Sequence, residues 1–590
     1  MEINKLFSPK YFLFIGTVLV LFILYSSYGH LMNFISDVAF SYPENKKGNF
    51  SVDIYKNRTF ETEEGITLSS RIFKPRELEK APTILVRIPL TYSLTDSLKT
   101  ELVGRFWSTR GYVVVIQGTR GRYRSSGEFY PLIHERTDGL ETLKWIRNQP
   151  WFDGDLFMWG SSSFAHTQWA ISNSTDPEIK AYFMHIGSSN FKEMFYPGGA
   201  FSLASALYWT IRSRGQEDRE VNLNDLAKGV EILPVMQADN VAIGDTDFFN
   251  DWVMNRGNLS FWEKIDGNKR TETIQGPVLH LAGWYDPFLI SQLDDFLSLK
   301  GHSDPFVAKN TKLIIGPWKH ADSVNLPNGE KVTYRENSVW PTTPWFDEIL
   351  LKRDSVIPEV KIFVMGVNTW REENEWPLRR TVFKPFYLKS LGKANTIQGD
   401  GKLSFNKDSS GGDFDSFTYD PLNPVPSAGG AMLGPWGGIR KQNEIEKRED
   451  VLIYDGPILS APLEITGPLE AYLYVESSAK TTDFTVKLVD VYPDGTAYNI
   501  SDGIVRIEEM SVDQETPKKI KIRMRPTSNV FQAGHKLRIE ISSSNFPRYE
   551  RNLNLHQDLV NARKTIKAEQ KVFHSAEYPS FILLPTIPNN

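Results

Sequence analysis

Five short, almost wholly apolar runs set what this chain can fold into. They are Thr83–Ile88, Tyr112–Ile116, Leu156–Trp159, Val278–Ala282 and Leu313–Ile315. Each is shorter than a helix and lacks a polar face, the pattern of strands buried on both sides of a sheet. Segments of helix length lie between them, roughly 95–110, 137–147 (apolar at Leu140, Leu143, Trp145 and Ile146) and 289–299. Strands alternating with helices imply an α/β architecture, a parallel sheet covered on both faces.

The rhythm breaks twice. Residues 188–272 are rich in Trp, Phe and Met and read as several helices with no strand run. Such an insertion is a cap over the carboxyl edge of the sheet, where open α/β sheets carry their chemistry. Beyond about 358 the pattern becomes period two, as in 469–475, 484–491 and 536–541, with Pro493-Asp494-Gly495 as a turn. That half is expected to be a β-sandwich of jelly-roll type. It holds a long Gly- and Pro-rich loop at 421–438 and a short helix near 555–567. With 590 residues, one core does not suffice. The expected division is 1–36 as membrane anchor or signal, 41–187 and 273–357 as the two parts of the α/β core, 188–272 as the cap, and 358–590 as the β domain.

The N-terminus stands apart. From Tyr11 to Tyr28 there are 18 residues without a charge. At about 1.5 Å per residue this run just crosses a hydrocarbon core of roughly 30 Å. Lys5 and Lys10 precede it and the first charge after it is Asp37. The positive-inside rule then puts the N-terminus in the cytoplasm and the bulk of the chain on the periplasmic or extracellular side. A cleaved signal peptide is the competing reading, but Ser26-Ser27-Tyr28-Gly29 is a poor cleavage site. A retained transmembrane helix is the expectation. The chain has no Cys, which excludes disulfides, thiol catalysis and thiolate zinc sites, and its net charge of −5 gives no electrostatic case for nucleic acid.

The chemistry is concentrated at Gly160-Ser161-Ser162-Ser163-Phe164. It follows the third apolar run and leads into a helical segment. A serine on a sharp strand-to-helix turn, two residues after a glycine, is the arrangement of a nucleophile, and the helix start behind it offers free backbone N–H groups to a developing oxyanion. Only Ser162 has the G-x-S spacing. The second glycine of G-x-S-x-G is replaced by Phe164, so on its own the stretch also reads as a plain turn of small polar residues. A nucleophilic serine needs a base, and the base an orienting acid, in the chain order Ser, Asp or Glu, His. Asp286 follows the fourth run directly and His320 follows the fifth. His166, four residues past Ser162, is a rival base, but it points down the helix. Asp294 and Asp295 rival Asp286, but they fit the solvated face of a helix. No H-E-x-x-H or paired-histidine spacing suggests a metal, and no Gly-rich segment ends in Lys-Ser/Thr, so no cofactor is expected.

These residues carry a resemblance. Gln117-Gly118-Thr119-Arg120-Gly121 with Ser125-Ser126-Gly127-Glu128-Phe129 resembles the TRG…S.GEF signature of the cocaine esterase-like (CocE/NonD) hydrolases. That family also includes α-amino-acid ester hydrolases and X-prolyl dipeptidyl peptidases. Met158 to Ser163 with Thr167-Gln168-Trp169 resembles its nucleophile elbow. Gly283-Trp284-Tyr285-Asp286 and Gly316-Pro317-Trp318-Lys319-His320 resemble its acid and base motifs. Trp370-Arg371 with Trp376-Pro377, residues 490–495, and Phe546-Pro547-Arg548 with Asn552-Leu553-Asn554 resemble its jelly roll. The match covers nearly everything after the N-terminal run.

The resemblance implies an α/β-hydrolase core with an inserted helical cap, followed by the jelly roll. It implies a triad of Ser162, Asp286 and His320 cleaving esters, or amides, through an acyl-enzyme. The backbone N–H of Ser163 is then half of the oxyanion hole. The other half departs from the family, whose Arg-x-Pro-Tyr is here Arg87-Ile88-Pro89-Leu90, leaving Tyr92 as the substitute donor. Ala165 also stands where the family usually has glycine. Trp284, Tyr285 and Phe288 flank the acid and are expected to line the substrate pocket, unless they are simply core aromatics. X-prolyl dipeptidyl peptidase and α-amino-acid ester hydrolase or acyltransferase are the alternatives within the family. The peptidases carry an additional N-terminal domain that this chain lacks. A binding protein built on an inactive hydrolase is the alternative from outside it.

Overall fold

The apolar runs pair as strands because each presents side chains to both faces and leaves its backbone to its neighbours. The computed structural model describes residues 28–40, 47–89, 94–214, 221–266, 268–321, 323–407, 412–510, 516–556 and 560–588. Its first sheet contains β1 (Val52–Glu61), β2 (Thr67–Pro75), β3 (Ala81–Ile88), β4 (Val113–Gly118), β5 (Phe152–Ser161), β6 (Ile179–His185), β7 (Val278–Tyr285) and β8 (Lys312–Lys319). They lie in the order β1-β2-β4-β3-β5-β6-β7-β8, followed by Val360–Val364 and Thr369–Glu373. From β4 to β8 every pairing is parallel, whereas β1 and β2 are antiparallel to each other and β2 to β4.

The period of two splits each run between two cores. Ile84, Val86, Val114 and Ile116 meet Phe106, Trp107, Trp345 and Phe346 on one face. Leu85, Val113, Val115 and Met158 meet Leu143, Ile146 and Trp169 on the other. The helices Leu94–Ser108 and Arg335–Leu351 thus cover one side, and Glu135–Arg147 and Ser163–Trp169 the other. Strand β6 was not among the five expected runs.

Between β6 and β7 the described residues form helices and no strand. They share an aromatic core in which Trp209 stacks on Trp252 with centroids 5.2 Å apart and Phe195 lies 4.6 Å from Trp252.

Past the boundary expected at 358, two strands still belong to the first sheet. Val360–Val364 still pairs with β8, in parallel, and Thr369–Glu373 with Val360–Val364. The second sheet begins at Val382 and holds eleven strands. Its Leu463–Ser477 strand pairs with Lys518–Phe531 and also with Phe581–Ile587, which in turn pairs with Val382–Lys389, so the sheet closes on itself as a barrel-like sandwich. Alternate residues Leu469, Ala471, Leu473 and Val475 fill it together with Val486, Leu488, Ile539 and Ile541. The short helix expected near 555–567 is not formed among the described residues there, which are irregular.

Among the described residues no helix is long and apolar enough to cross a membrane. The expected span, 11–28, lies outside them except for Tyr28.

Candidate active site

Strand β5 ends at Ser161, and Ser162 turns the chain with φ 58° and ψ −125°. A serine pays about 1–3 kcal/mol for such a conformation. The turn is held from both sides. Ser162 N–H donates to the His185 carbonyl at 2.8 Å, and its own carbonyl accepts from Ala165 N–H at 2.9 Å, starting the helix. The returning helix also explains Gly160, because a Cβ there would lie 2.4 Å from Phe164 Cβ. Ser163 is the first residue of that helix. Its N–H therefore has no carbonyl of a preceding helical turn to bond. Ala165 is fully buried, and its methyl lies where a side chain on Gly187 would collide, 2.7 Å away. The lack of a side chain at 187 makes room for the methyl that replaces the family's usual glycine.

Asp286 follows β7. Its Oδ1 accepts the N–H of Phe288 at 2.9 Å, and its Oδ2 lies 2.6 Å from Nδ1 of His320. His320 follows β8, and its Nε2 lies 2.8 Å from Ser162 Oγ. The three side chains are 158 and 34 residues apart in the pairs that touch. The structure brings them into one line of contacts at the carboxyl edge of the parallel strands. The Asp286 side chain is fully buried, and that of His320 is 14% exposed. A carboxylate on one imidazole nitrogen and a hydroxyl on the other fix the ring's orientation and leave Nε2 as the proton acceptor toward the serine.

The rivals fall elsewhere. His166 is buried with Nε2 3.3 Å from the Leu132 carbonyl, and burial pushes it down to about 3. Asp294 pairs with Arg523 of the β domain at 2.9 Å. Asp295, expected on a solvated face, is instead buried, because its helix is enclosed on both sides. It accepts the Ser189 N–H at 2.8 Å, and burial pushes it up to about 8.

The pocket residues separate. The Trp284 indole N–H donates to the Phe363 carbonyl at 2.8 Å and its ring packs on Trp376. The Tyr285 hydroxyl donates to the Asn499 carbonyl at 2.9 Å. Both are pinned between the two sheets and cannot line a pocket at the serine. Phe288 stays, with its ring 5.7 Å from His320 and 5.0 Å from Phe191 of the cap. Tyr92 lies outside the described residues.

Two features were not expected. Arg525, on the β-domain strand Lys518–Phe531, is buried and donates through Nη2 to the backbone carbonyl of Asp286. Burial and the neighbouring Arg548 push its guanidinium down to about 10. The loop 421–438 reaches the other side of the site, where Lys319 Nζ donates to the carbonyls of Gly434 and Pro435 at 3.2 and 3.3 Å. Among the described residues no cluster of His, Asp or Glu is arranged to hold a metal ion.

Comparison with known proteins also divides the chain in two. Residues 64–322 match the family described as X-Pro dipeptidyl-peptidase (S15 family), and residues 356–583 match the X-Pro dipeptidyl-peptidase C-terminal non-catalytic domain. Cocaine esterase of Rhodococcus sp. (strain MB1 Bresler) is 34% identical over 585 residues, covering 92% of this chain and 99% of that protein. Among solved structures, an aminopeptidase from a marine sediment archaeon (Thaumarchaeota archaeon) superposes with TM-score 0.77 at 22% identity, over 93% of this chain and 99% of that one. An α-amino acid ester hydrolase superposes with TM-score 0.76 at 22% identity, over 92% and 98%. These two show a shared fold.

Proposed function

The chain belongs to the cocaine esterase-like family of serine hydrolases, and on that premise we propose that it hydrolyses acyl esters through Ser162, His320 and Asp286 by way of an acyl-enzyme. Ser162 Oγ attacks the carbonyl carbon while His320 Nε2 takes its proton. The tetrahedral intermediate collapses, and the imidazolium returns that proton to the departing alcohol. Water then repeats the sequence on the acyl-enzyme. Asp286 holds the proton on Nδ1 throughout and stabilises the imidazolium. The Ser163 N–H meets the oxyanion, with Tyr92 as second donor where Leu90 cannot serve. Such a donor is worth about 10²–10³ in rate.

The observation that carries this reading is the unbroken sequence of contacts Oγ–Nε2 at 2.8 Å and Nδ1–Oδ2 at 2.6 Å. The same contacts argue against a binding protein on an inactive scaffold. The family match at 64–322 favours a second reading, release of an N-terminal dipeptide by the same machinery acting on an amide. α-Amino-acid ester hydrolysis or acyl transfer is the third. We place the catalytic body outside the cytoplasm, tethered by the uncharged run at 11–28.

A fluorophosphonate probe tests the nucleophile. Labelling of the wild type that disappears in Ser162→Ala supports the proposal, and an unlabelled wild type overturns it. Hydrolysis of aryl esters, amino-acid esters and X-Pro p-nitroanilides by the same preparation separates the three substrate readings.

A further inference from the structure

The described part of one helix, residues 28–40, turns the polar side chains Asn33, Ser36 and Asp37 inward beside Met32 and Phe40. It lies against the helix Leu94–Ser108 and the residues just after it. Ser36 Oγ donates to the Leu102 carbonyl at 2.7 Å, Arg105 donates to Asn33 Oδ1 at 3.1 Å, and Arg110 pairs with Asp37 at 2.9 Å. Phe40 meets Phe106 edge-on at 5.7 Å. The opposite face carries Leu31, Phe34, Ile35 and Val38, which are 54%, 65%, 39% and 68% exposed. Their spacing of i, i+3, i+4 and i+7 makes one continuous stripe. No Asp, Glu, Lys or Arg is among the exposed residues of this helix. Tyr28 is 46% exposed, and Leu98 lies exposed one turn before Leu102 on the neighbouring helix.

A helix on a protein in water turns its apolar stripe to the core and its polar face out. Here an apolar stripe faces outward while Asn33, Ser36 and Asp37 face in, so the stripe needs an apolar medium outside the chain. The sequence supplies one. The 18-residue run without a charge ends at Tyr28, the first described residue of this helix. We propose that the stripe lies in the interfacial layer of the bilayer that this run enters, fixing the orientation of the catalytic body at the membrane surface. The proposal rests on the membrane reading of 11–28 given above. Residues 28–40 span about 20 Å at ~1.5 Å per residue. An apolar face of that kind sinks about 5–10 Å into the boundary between headgroups and chains, and Tyr28, apolar in body with a polar tip, suits that depth. A second copy of the chain fits less well. One short stripe falls well below the roughly 800 Å² per partner that a stable interface buries.

The chain has no Cys, so one introduced thiol is a unique label. Phe34→Cys and Val38→Cys are labelled with an environment-sensitive fluorophore in the full chain reconstituted into phosphatidylcholine–phosphatidylglycerol vesicles. Leu422→Cys, at an exposed position of the β domain, is the control, and ester hydrolysis verifies that each variant is folded. At 34 and 38 the expected result is strong quenching by a lipid carrying a nitroxide near its headgroup and protection from aqueous iodide, with the reverse at 422. Labels at 34 and 38 that iodide reaches as freely as at 422, in chains that sediment with the vesicles, overturn this proposal alone. So does protection without lipid quenching that grows with protein concentration, which would mark a second copy. A chain that does not sediment with vesicles overturns the membrane reading together with it, and leaves the hydrolase assignment untouched.

Discussion

Asp286 gives its two oxygens different tasks, and that makes its amide an unusually sharp test. Oδ1 accepts the Phe288 N–H at 2.9 Å, and Oδ2 faces His320 Nδ1 at 2.6 Å. In Asp286→Asn only one of these positions keeps an oxygen. The Phe288 N–H is a donor that cannot turn round, so the amide oxygen stays with it and the NH₂ faces Nδ1. The imidazole must then accept at Nδ1 and carry its proton on Nε2, the nitrogen 2.8 Å from Ser162 Oγ. That tautomer cannot take the hydroxyl proton. The expected loss in kcat is about 10⁴, as for the same change in a serine protease triad, or roughly 5 kcal/mol at 1.36 kcal/mol per decade. Asp286→Ala removes the anion and the orienting partner altogether, and a loss of the same order is expected. The two variants should separate in stability. Ala strands the buried Phe288 N–H at a cost of about 1–3 kcal/mol, whereas Asn keeps its partner. The assay is kcat on an aryl ester beside urea midpoints for both variants. If either variant keeps kcat within about tenfold of the wild type, the assignment of Asp286 as the acid fails.

Three further changes test the surrounding structure. Gly187→Ala puts a methyl 2.7 Å from Ala165 Cβ and 3.0 Å from the Ser162 carbonyl. It should cost about 1–3 kcal/mol in urea unfolding and lower kcat, and the added change Ala165→Gly should restore most of both. Arg525→Met removes a charged donor from the Asp286 carbonyl, a bond of about 1.5–3 kcal/mol. The expected result is a roughly ten- to hundredfold fall in kcat from misplacement of the acid loop, with KM little changed, in steady-state assays. Asp295 is pushed up to about 8 by burial, well above its unfolded value of about 3.9. The folded state therefore holds a proton that the unfolded state has already lost, and Asp295 contributes less to stability as pH rises from about 4 to about 8. Asp295→Asn should match the wild type in unfolding free energy near pH 4 and exceed it near pH 8. Equal pH slopes would refute the assignment.

Much of this was legible because the signals are local. The five apolar runs became β3, β4, β5, β7 and β8, since a strand buried on both faces needs no partner to be recognised. The residues brought to Ser162 each follow such a strand, where only the order along the chain matters. Strand β6 was not legible. It is buried or nearly so throughout, but Lys180 and His185 interrupt its run and it lacks the uniform apolar signal. Asp295 and the pair Trp284 and Tyr285 were misjudged for one reason. Their partners lie 79, 106 and 214 residues away in sequence, and helical spacing or proximity to Asp286 cannot show which side those segments occupy. That Val360–Val364 joins the first sheet was not legible either, because its pairing with β8 leaves no mark on its own sequence.

Arg525 carries the strongest lesson about what the second domain is for. Along its strand Lys519, Lys521 and Arg523 are exposed and Ile520, Ile522 and Met524 are buried. The period of two therefore assigns Arg525 to the solvent side. It is buried because that side of the strand passes beneath the helix Leu289–Lys300, where Arg523 pairs with Asp294 and Arg525 reaches the Asp286 carbonyl one step further on. Burying a guanidinium is costly unless it is paired and hydrogen-bonded. Here the recipient is the backbone of the loop that must present the acid to His320. Together with the carbonyls of Gly434 and Pro435 that hold Lys319 beside the base, the β domain touches the segments bearing both the acid and the base. The sheet supplies the serine and its turn. The positions of Asp286 and His320 are set jointly with a domain whose family match begins at residue 356.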